Sequence, residues 1–513
     1  MSDIATVEGA RATRREWIGL AVLALPCLLY SMDLTVLMLA MPHLTADLAP
    51  TAPQLLWIVD VYGFVLAGSL ITMGTLGDRI GRRKLLLIGA TAFGAASVLA
   101  AFADTAAALI AARAVLGVAA ATLAPSTLSL LRNMFLDPRQ RTFAIGVWIA
   151  SFSAGAAIGP LTGGALLAEF WWGSVFLINV PVMLLLLAVG PSLLPEFRDP
   201  NAGRIDVASA ALSLIAVLAV IYGMKCIAAE GFGPVPALSI LAGLGVGLLF
   251  VRRQRRLADP LIDVSLFRIP AFATSVAANL LGVFIAFGTF LLVTQYLQLV
   301  LGMGPFEAGL WTAPSGIIFI VGSMLPSLLL RVMRPAQAIA AGFAVAAIGL
   351  AILSQVAGSD GPWVLMAGFL LFCLGLAPVA TLTTDTIVSI APPERAGAAA
   401  AISETGAEFG GALGIAVLGS IVTAVYGGAM AGAVPGDIAG AEAARDSLAA
   451  AAAVAASIGG DIGASLLGAA RIAFAQSLAL TSAICTVIAL GTALLVATVL
   501  RRVPASVVSD DGH

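Results

Sequence analysis

The sequence predicts an all-α, polytopic membrane protein with fourteen transmembrane helices. Of its 513 residues, 60% are hydrophobic and only 11% are charged, whereas soluble domains carry about 25% charged residues. Apolar runs of about 20 residues, the length that crosses a bilayer as a helix, recur along the chain. Most Lys and Arg residues lie in short segments between these runs, in an asymmetric distribution that orients membrane helices.

The predicted spans follow one another along the whole chain. They cover residues 17–41, 54–76, 84–103, 106–131, 142–168, 173–194, 206–226, 234–251, 272–300, 307–330, 336–356, 362–386, 395–425 and 472–500. With the N-terminus in the cytoplasm, 22 of the 26 Lys and Arg residues face the cytoplasm. We therefore predict a multi-pass protein of the cell membrane with both termini cytoplasmic. Residues 1–16 lack the apolar core of a removable signal peptide.

Charge-rich segments divide the chain into three parts. Residues 1–195 form a six-helix bundle, residues 196–271 form an inserted helix pair with its linkers, and residues 272–513 form a second six-helix bundle. The second bundle includes a long outer loop at 427–471, which is rich in Ala and Gly. Two similar bundles are typical of transporters that open a central site to each side of the membrane in turn.

Two acidic residues lie inside the first two spans, each beside an aromatic residue. Tyr30 precedes Asp33 by three residues and shares its helix face, and Trp57 stands in the same relation to Asp60. At a rise of about 1.5 Å per residue, both acids lie about 10–12 Å below the predicted outer surface. A carboxylate at this depth must be protonated, paired or hydrated, so we predict proton or cation binding by Asp33 and Asp60. The alternative is a structural hydrogen-bond network. An aromatic face beside a carboxylate suits a quaternary ammonium group.

Residues 74–84 connect the second and third spans and read Gly-Thr-Leu-Gly-Asp-Arg-Ile-Gly-Arg-Arg-Lys. Charges end the apolar helix, because a charged side chain at bilayer depth costs about 2.5–3.5 kcal/mol. The stretch resembles the cytoplasmic loop between the second and third helices of the major facilitator superfamily, Gly-x-Leu-x-Asp-Arg-x-Gly-Arg-Arg/Lys. A generic cationic loop is the alternative, but it requires neither the acid nor the glycine spacing. The resemblance implies a conformational switch that includes Gly74, Asp78, Arg79, Gly81 and Arg82.

The fourth span contains a single arginine, Arg113. It lies about 10 Å from the outer end of the span, so its side chain can reach Asp33 or Asp60. The superfamily carries an arginine at this place, where it is linked to proton transfer, and the resemblance implies a supporting role of that kind for Arg113. A purely structural salt bridge is the alternative.

The fifth span contains the pattern Gly-x-x-x-Gly-Pro-x-x-Gly-Gly. Small residues four apart let helices approach closely, and proline bends a helix. The pattern resembles the antiporter signature of drug-exporting members of the superfamily, where it helps to seal the two halves on the outer side. The resemblance adds five residues to the predicted switch: Gly155, Gly159, Pro160, Gly163 and Gly164. A packing motif without a switching role is the alternative.

The thirteenth span carries two acids on one face, Glu404 and Glu408. They lie about 15 and 20 Å from the predicted cytoplasmic end of the span. We predict that these carboxylates bind protons or cations. The alternative is the solvated face of a helix whose start is misplaced.

Taken over the whole chain, these features are typical of the fourteen-helix drug:proton antiporters of the superfamily. The resemblance implies the major facilitator fold, with two six-helix bundles and two inserted helices. The acids in spans one, two and thirteen are most similar to those of the QacA-like exporters of quaternary ammonium compounds. The resemblance therefore implies a multidrug exporter of lipophilic cations, such as antiseptics and cationic dyes, in exchange for protons. The expected partners are small cationic drugs, protons and the lipid bilayer, and the expected oligomeric state is a monomer.

Other function classes fit the residues less well. The only lysines, Lys84 and Lys225, do not stand in a phosphate-binding loop, which excludes an ATP-driven pump as a single chain. We therefore expect that the proton gradient supplies the energy and that no cofactor is needed. The only histidines are His43 and His513, and no Ser/His or metal constellation indicates an enzyme or a metal site. We also expect no nucleic acid partner. An ion-coupled transporter of another small molecule on the same fold and a non-transporting membrane sensor stay open as alternatives.

Overall fold

The computed structural model describes residues 11–50, 52–198, 206–231, 233–257, 260–356, 361–392, 395–433 and 441–500. Within these residues the chain forms α-helices, one 3₁₀ turn and one π turn, with no β-strand. Thirteen helical stretches are long and apolar enough to cross a membrane. The predicted seventh span, 206–226, corresponds to a further helix whose apolar part, Ala208–Met224, is shorter. The predicted all-α membrane fold is confirmed.

The helices are numbered in chain order. In the first half they are α1 Arg14–Leu48, α2 Ala52–Ile80, α3 Arg82–Ala101, α4 Ala106–Met134, α5 Pro138–Glu169, α6 Ser174–Leu177 and α7 Asn179–Leu193. The inserted pair is α8 Val207–Glu230 and α9 Pro234–Gln254. In the second half they are α10 Pro270–Gln295, α11 Pro305–Met324, α12 Pro326–Leu329, α13 Pro335–Leu353, α14 Pro362–Ile390, α15 Ala396–Ala433, α16 Ala441–Asp446, α17 Leu448–Ile458 and α18 Gly460–Val499.

Helix starts follow from local sequence signals. Asp137 and Asp206 cap α5 and α8, each accepting a hydrogen bond from a backbone N–H of the first turn. Proline occupies the first turn of α9, α10, α11, α13 and α14, where its missing N–H leaves no internal hydrogen bond unmade. Asp206 therefore marks the start of the first inserted helix.

Two large clusters of buried apolar side chains define the two halves. One cluster comprises residues of α1–α7, between positions 20 and 194, with three contributions from the second half. The other comprises residues between positions 271 and 500. The helix α8 packs outside both clusters, against α2 and α15, and Val217 and Ile221 of α8 lie with Phe64 of α2 and Ala416 of α15. The inserted pair thus contacts both halves at once.

Two connections differ from the sequence prediction. The predicted loop over 74–84 is almost entirely helical, since α2 continues to Ile80 and α3 begins at Arg82, with Gly81 alone between them. The predicted outer loop over 427–471 is also largely helical, because α15 and α18 extend into it and α16 and α17 lie between them. Ala-rich sequence favours helix once the chain has left the bilayer, and span length alone does not reveal it. Residues 434–440 of this segment, and both chain termini, lie outside the described residues.

Candidate functional site

The deepest charged contact in the first half joins α1 to α4. The guanidinium of Arg113 donates to Asp33, with 3.2 Å between Nη1 and Oδ2, and the two side chains are 0% and 2% exposed. The same guanidinium lies 5.3 Å from the ring centre of Tyr62 on α2 and 3.5 Å from the carbonyl oxygen of Val59. The buried charges are thus paired, as burial in a low dielectric demands.

Two further carboxylates, those of Glu404 and Glu408 on α15, face this pair from the second half. Tyr30 on α1 donates its hydroxyl to Glu408 on α15 across 2.8 Å. Glu404 lies one turn earlier on α15 and interacts electrostatically with Glu408. The ring of Tyr30 also packs edge-on against Phe152, with 5.3 Å between ring centres. The bond between Tyr30 and Glu408 therefore connects the two halves beside the buried ion pair.

Trp57, the aromatic residue predicted to lie at the site on α2, lies apart from this group. Trp57 is 48% exposed and packs edge-on against Phe64 at 6.2 Å, not against Tyr30. Asp60 is half-buried and follows Val59, whose carbonyl faces Arg113. The structure thus brings together Asp33, Arg113, Tyr30, Glu404 and Glu408, and it places Trp57 outside that cluster.

Asp78 connects the halves at the end of the bundle that carries Arg82, Arg141 and Arg395, here called the basic end. Its carboxylate accepts the backbone N–H groups of Gly397 and Ala398, at 3.1 and 2.9 Å, in the first turn of α15. The N-terminus of a helix attracts an anion through its free N–H groups and its dipole. Arg82 donates Nε to the same carboxylate at 2.8 Å, so the buried acid is satisfied from both halves.

Two positions of the predicted switch, Gly74 and Gly81, require glycine, each for a different structural reason. A Cβ at Gly74 would lie 2.6 Å from the carbonyl oxygen of Gly397, so only glycine permits this approach of α2 and α15. Gly81 has φ of +111°, which side chains rarely adopt, and a Cβ there would lie 2.6 Å from the carboxylate of Glu196. Glu196 accepts the backbone N–H groups of Arg83 and Lys84 at 3.2 Å each. Gly81 therefore makes the α2–α3 turn and leaves room for this cap.

A linker strap, residues 260–268, crosses the same basic end. Thr75 of α2 donates its hydroxyl to the carbonyl of Leu261 at 2.9 Å, and Asp263 pairs with Arg395 at 3.2 Å. Arg79 of the predicted switch lines a small cavity, of about 30 Å³, between this strap and α15. The linker after the inserted helices is therefore bonded to both halves.

A further pair joins α5 of the first half to α14 of the second. Arg141 donates Nε to Asp385 at 3.1 Å, and Thr142 donates its hydroxyl to the same carboxylate at 2.5 Å. Arg132 donates to the carbonyl of Ser389 at 3.1 Å, one turn further along α14. Asp385 lies near the end of the predicted span 362–386, and in the structure its carboxylate is a buried contact between the halves.

The glycines of the fifth span pack within the first half. Cβ atoms at Gly155 and Gly163 would lie 2.6 Å from the Ser31 hydroxyl and 2.9 Å from Val36, both on α1. Gly159 contacts α1 between them, whereas Gly164 has open space around it. The side chain of Pro160 lies outside the described residues. The row Gly155, Gly159 and Gly163 thus permits close packing of α1 on α5.

Sequence reasoning missed the residues whose partners lie far along the chain. Asp385, Asp263 and Glu196 are acids near span ends. Asp263 and Glu196 lie a few residues from arginines, whereas Asp385 has no such neighbour in the sequence. Tyr62 carries no signal beyond its position five residues after Trp57. Among the described residues, no group of three His, Cys, Asp or Glu side chains is close enough to hold a metal ion.

Comparisons with known proteins agree with this architecture. The family model of the Major Facilitator Superfamily matches residues 23–415. The multidrug efflux pump LfrA of Mycolicibacterium smegmatis is 42% identical over 97% of this chain and 99% of its own length. The methyl viologen resistance protein SmvA of Salmonella typhimurium is 36% identical over 80% of this chain and 83% of its own length. The crystal structure of the human organic anion transporter MFSD10 matches the fold with a TM-score of 0.62 at 15% identity, covering 92% of this chain and 99% of that one. The chain therefore belongs to the Major Facilitator Superfamily and is a membrane transporter, not an enzyme.

Proposed function

We propose that the protein is a multidrug exporter that expels lipophilic cations, such as quaternary ammonium compounds and cationic dyes, in exchange for protons. The observation that carries the proposal is the pair of carboxylate groups deep in the bundle, one held by Arg113 and one by Tyr30 across the halves. Relatives named as a multidrug efflux pump and a methyl viologen resistance protein support it.

The carboxylates suit an exchange of protons and cations without covalent chemistry. Glu404 and Glu408 lie on one face of α15, and each can be neutralised by a proton or by a cation, but not by both at once. A bound cation therefore favours release of the proton. The aromatic rings of Tyr30 and Phe152 offer an apolar, electron-rich surface to a cation that cannot donate hydrogen bonds.

Asp33 has a different position, because Arg113 already neutralises it. A proton on Asp33 would release Arg113, and a proton lost from Asp33 would restore the pair. Under the proposal, Asp33 and Arg113 respond to the proton gradient, while Glu404 and Glu408 exchange protons for the drug. Asp60 is half-buried and follows Val59, whose carbonyl faces Arg113, and under the proposal it also binds a proton or a cation.

Alternating access requires a contact between the halves that opens and closes. Under the proposal this contact is the basic end, with Asp78 on the first turn of α15, the Arg141–Asp385 pair and the linker strap. It would open for drug to enter from the cytoplasm or the inner leaflet. Under the same proposal both termini are cytoplasmic, and the protein acts as a monomer in the cell membrane.

The test is transport by the purified protein in proteoliposomes. With an imposed pH gradient, the liposomes should accumulate ethidium or tetraphenylphosphonium, and a protonophore should abolish the accumulation. Liposomes without protein serve as the control. Accumulation that ignores the pH gradient would indicate a uniporter, and transport of neutral or anionic compounds alone would show that the substrate class is wrong.

The orientation is tested separately on a variant without the native residues Cys27, Cys226, Cys373 and Cys485. A cysteine at Asp104, in the connection between α3 and α4, should react with an impermeant maleimide added to intact cells. A cysteine at Arg255, after α9, should react only in everted vesicles. The reverse pattern would invert the topology.

A further inference from the structure

Tyr62 is buried between the two carboxylate groups but makes no hydrogen bond through its hydroxyl. The side chain is 1% exposed, and its Oη has no partner. Its ring packs against the Arg113 guanidinium at 5.3 Å and lies 6.3 Å from the ring of Tyr30. It interacts electrostatically with Asp33, Arg113 and Glu408. Tyr62 therefore adjoins both the ion pair and the acid that faces it from the second half.

A second unsatisfied group lies in the same place. Arg113 is fully buried, and its Nε–H has no acceptor, although Nη1 is bonded to Asp33. Buried polar groups without a partner are uncommon, and each costs about 1–3 kcal/mol. Two such groups lie here on neighbouring side chains. One polar ligand that bonds to both would remove both free-energy costs, which is a simpler explanation than two separate unsatisfied groups.

The donor chemistry limits what that ligand is. Arg113 Nε–H can only donate, so its partner must be an acceptor, which excludes the ammonium group of a cationic substrate. The Tyr62 hydroxyl both donates and accepts. Water has both capacities, and a buried water normally has about three hydrogen-bond partners. The Asp33 and Glu408 carboxylates supply further acceptors beside it.

We infer that Tyr62 and Arg113 bind a water molecule through which protons pass between Asp33 and Glu408, which makes Tyr62 a positioning residue for proton coupling. In each transfer the water gives one proton to a carboxylate and takes one from the other, so its own composition is unchanged. Tyr62 orients the water and keeps its phenol proton. The groups that face this position are Tyr30 and Asp33 from α1, Arg113 from α4 and Glu408 from α15. The inference rests on the proposed proton-coupled function.

Tyr62→Phe is the informative variant, because it keeps the ring against Arg113 and removes only the hydroxyl. Two assays are compared in proteoliposomes. Transport of tetraphenylphosphonium driven by a pH gradient should fall at least about tenfold, a smaller loss than the roughly 100-fold or more expected when a group that itself transfers the proton is removed. Counterflow of tetraphenylphosphonium at equal pH on both sides, which needs no net proton movement, should stay within twofold of the wild type.

Tyr426→Phe is the matched control. It also removes a buried tyrosine hydroxyl, one that donates to the carbonyl of Ala444 far from the carboxylates. This variant should keep the wild-type ratio of the two assays. Equal loss of both activities in Tyr62→Phe would mean a purely structural role, and a wild-type ratio in Tyr62→Phe would also overturn the inference. Absence of counterflow in the wild type would refute the proposed function instead.

An independent measurement uses the wild-type protein alone. A cryo-EM map that resolves buried waters should show density within hydrogen-bond distance of both Tyr62 Oη and Arg113 Nε. A map that resolves waters elsewhere in the bundle and none at this position would contradict the inference, whatever the behaviour of the variant.

Discussion

Asp33 and Arg113 depend on each other because neither charge has access to water. With side chains 2% and 0% exposed, either one alone would be a buried, uncompensated charge. Breaking such a pair costs about 3–5 kcal/mol, although replacing both partners together can be nearly neutral. Asp33→Asn should therefore abolish efflux and lower the melting temperature of the detergent-purified protein. The double variant Asp33→Asn with Arg113→Gln should recover much of the melting temperature but no transport.

The double variant separates stability from function. If it transports at the wild-type rate, the ion pair has only a structural role, which is the alternative left open by the sequence. If it melts as low as Asp33→Asn alone, the two charges are not each other's main partners, and the contact at 3.2 Å contributes little to stability.

Glu404 and Glu408 should differ in what their loss changes. Glu408→Gln removes the charge but keeps an oxygen for the Tyr30 hydroxyl, so the contact between α1 and α15 survives. We expect about tenfold weaker binding of tetraphenylphosphonium, equivalent to about 1.4 kcal/mol, and less proton release on binding. Glu404→Gln should alter the range of transported cations. Binding is measured by calorimetry, and Glu307→Gln, at an exposed acid on α11, is the control.

Unchanged affinity and proton release in both Glu404→Gln and Glu408→Gln would remove these acids from the mechanism. Asp33 and Asp60 would then be the remaining candidates, since they are the other carboxylates predicted inside the spans.

At the scale of helices, the sequence predicts which membrane helices exist and in what order they follow one another, but it does not predict where each helix ends. Apolar runs predict each membrane helix because hydrophobic length is what the bilayer selects. Helix ends beyond the bilayer depend on local caps and tertiary contacts, which is why α2 continues to Ile80 and why α15 and α18 extend through much of 427–471. The glycine pattern indicates that Gly81 can adopt a positive φ, but nothing in the sequence indicates that Glu196 packs beside it.

Contacts within one half were easier to predict than contacts between halves. Asp33, Asp60 and Arg113 lie at similar depth, so the sequence predicts that Arg113 pairs with one of the two acids, and the structure pairs it with Asp33. The Tyr30–Glu408 bond joins residues 378 positions apart. Periodicity places each residue on a helix face, but it carries no information on which faces of the two halves meet. The same reason explains why the roles of Asp385 and Tyr62 were not foreseen.

The approach of α2 to α15 at the basic end depends on glycine. A Cβ at residue 397 would lie 2.7 Å from the backbone carbonyl of Gly74, and a backbone atom cannot move away as a side chain would. Gly397→Ala should force the helices apart and favour opening of this end. A reporter cysteine at Thr75, which is buried in the wild type, should then react faster with maleimide in everted vesicles. Gly419→Ala on the same helix, where a Cβ meets nothing within 4 Å, should leave the rate unchanged.

Equal reactivity in Gly397→Ala and Gly419→Ala would show that the α2–α15 contact does not govern access at this end. Reduced reactivity in Gly397→Ala would mean that the added methyl group fills space and does not separate the helices.

For the molecule as a whole, burial ranks three carboxylate contacts that, under the proposal, hold the basic end closed. The Asp78 carboxylate is 6% exposed and accepts two N–H groups of α15. The Arg141–Asp385 pair is 12% exposed on each side. The Asp263–Arg395 pair is about one-third exposed, at 32% and 34%. Exposed ion pairs contribute about 0–1 kcal/mol, whereas buried, charge-assisted contacts contribute more.

We therefore expect Asp78→Asn to open the basic end most, Asp385→Asn less, and Asp263→Asn least. Asparagine keeps one accepting oxygen but loses the charge that the first turn of α15 and Arg82 stabilise at Asp78. Asp78→Asn should slow transport while substrate affinity stays within several-fold. The reason is that Asp78 bonds to Arg82 and to the first turn of α15 at the basic end, and not to the cluster that contains Asp33 and Glu408. Maleimide labelling of the Thr75 cysteine measures opening, and calorimetry measures affinity.

The effect of Asp263→Asn should disappear in high salt, since salt screens an exposed pair but not a buried one. A selective loss of affinity in Asp78→Asn with normal turnover, or labelling rates in the reverse order, would show that the basic end is not the gate.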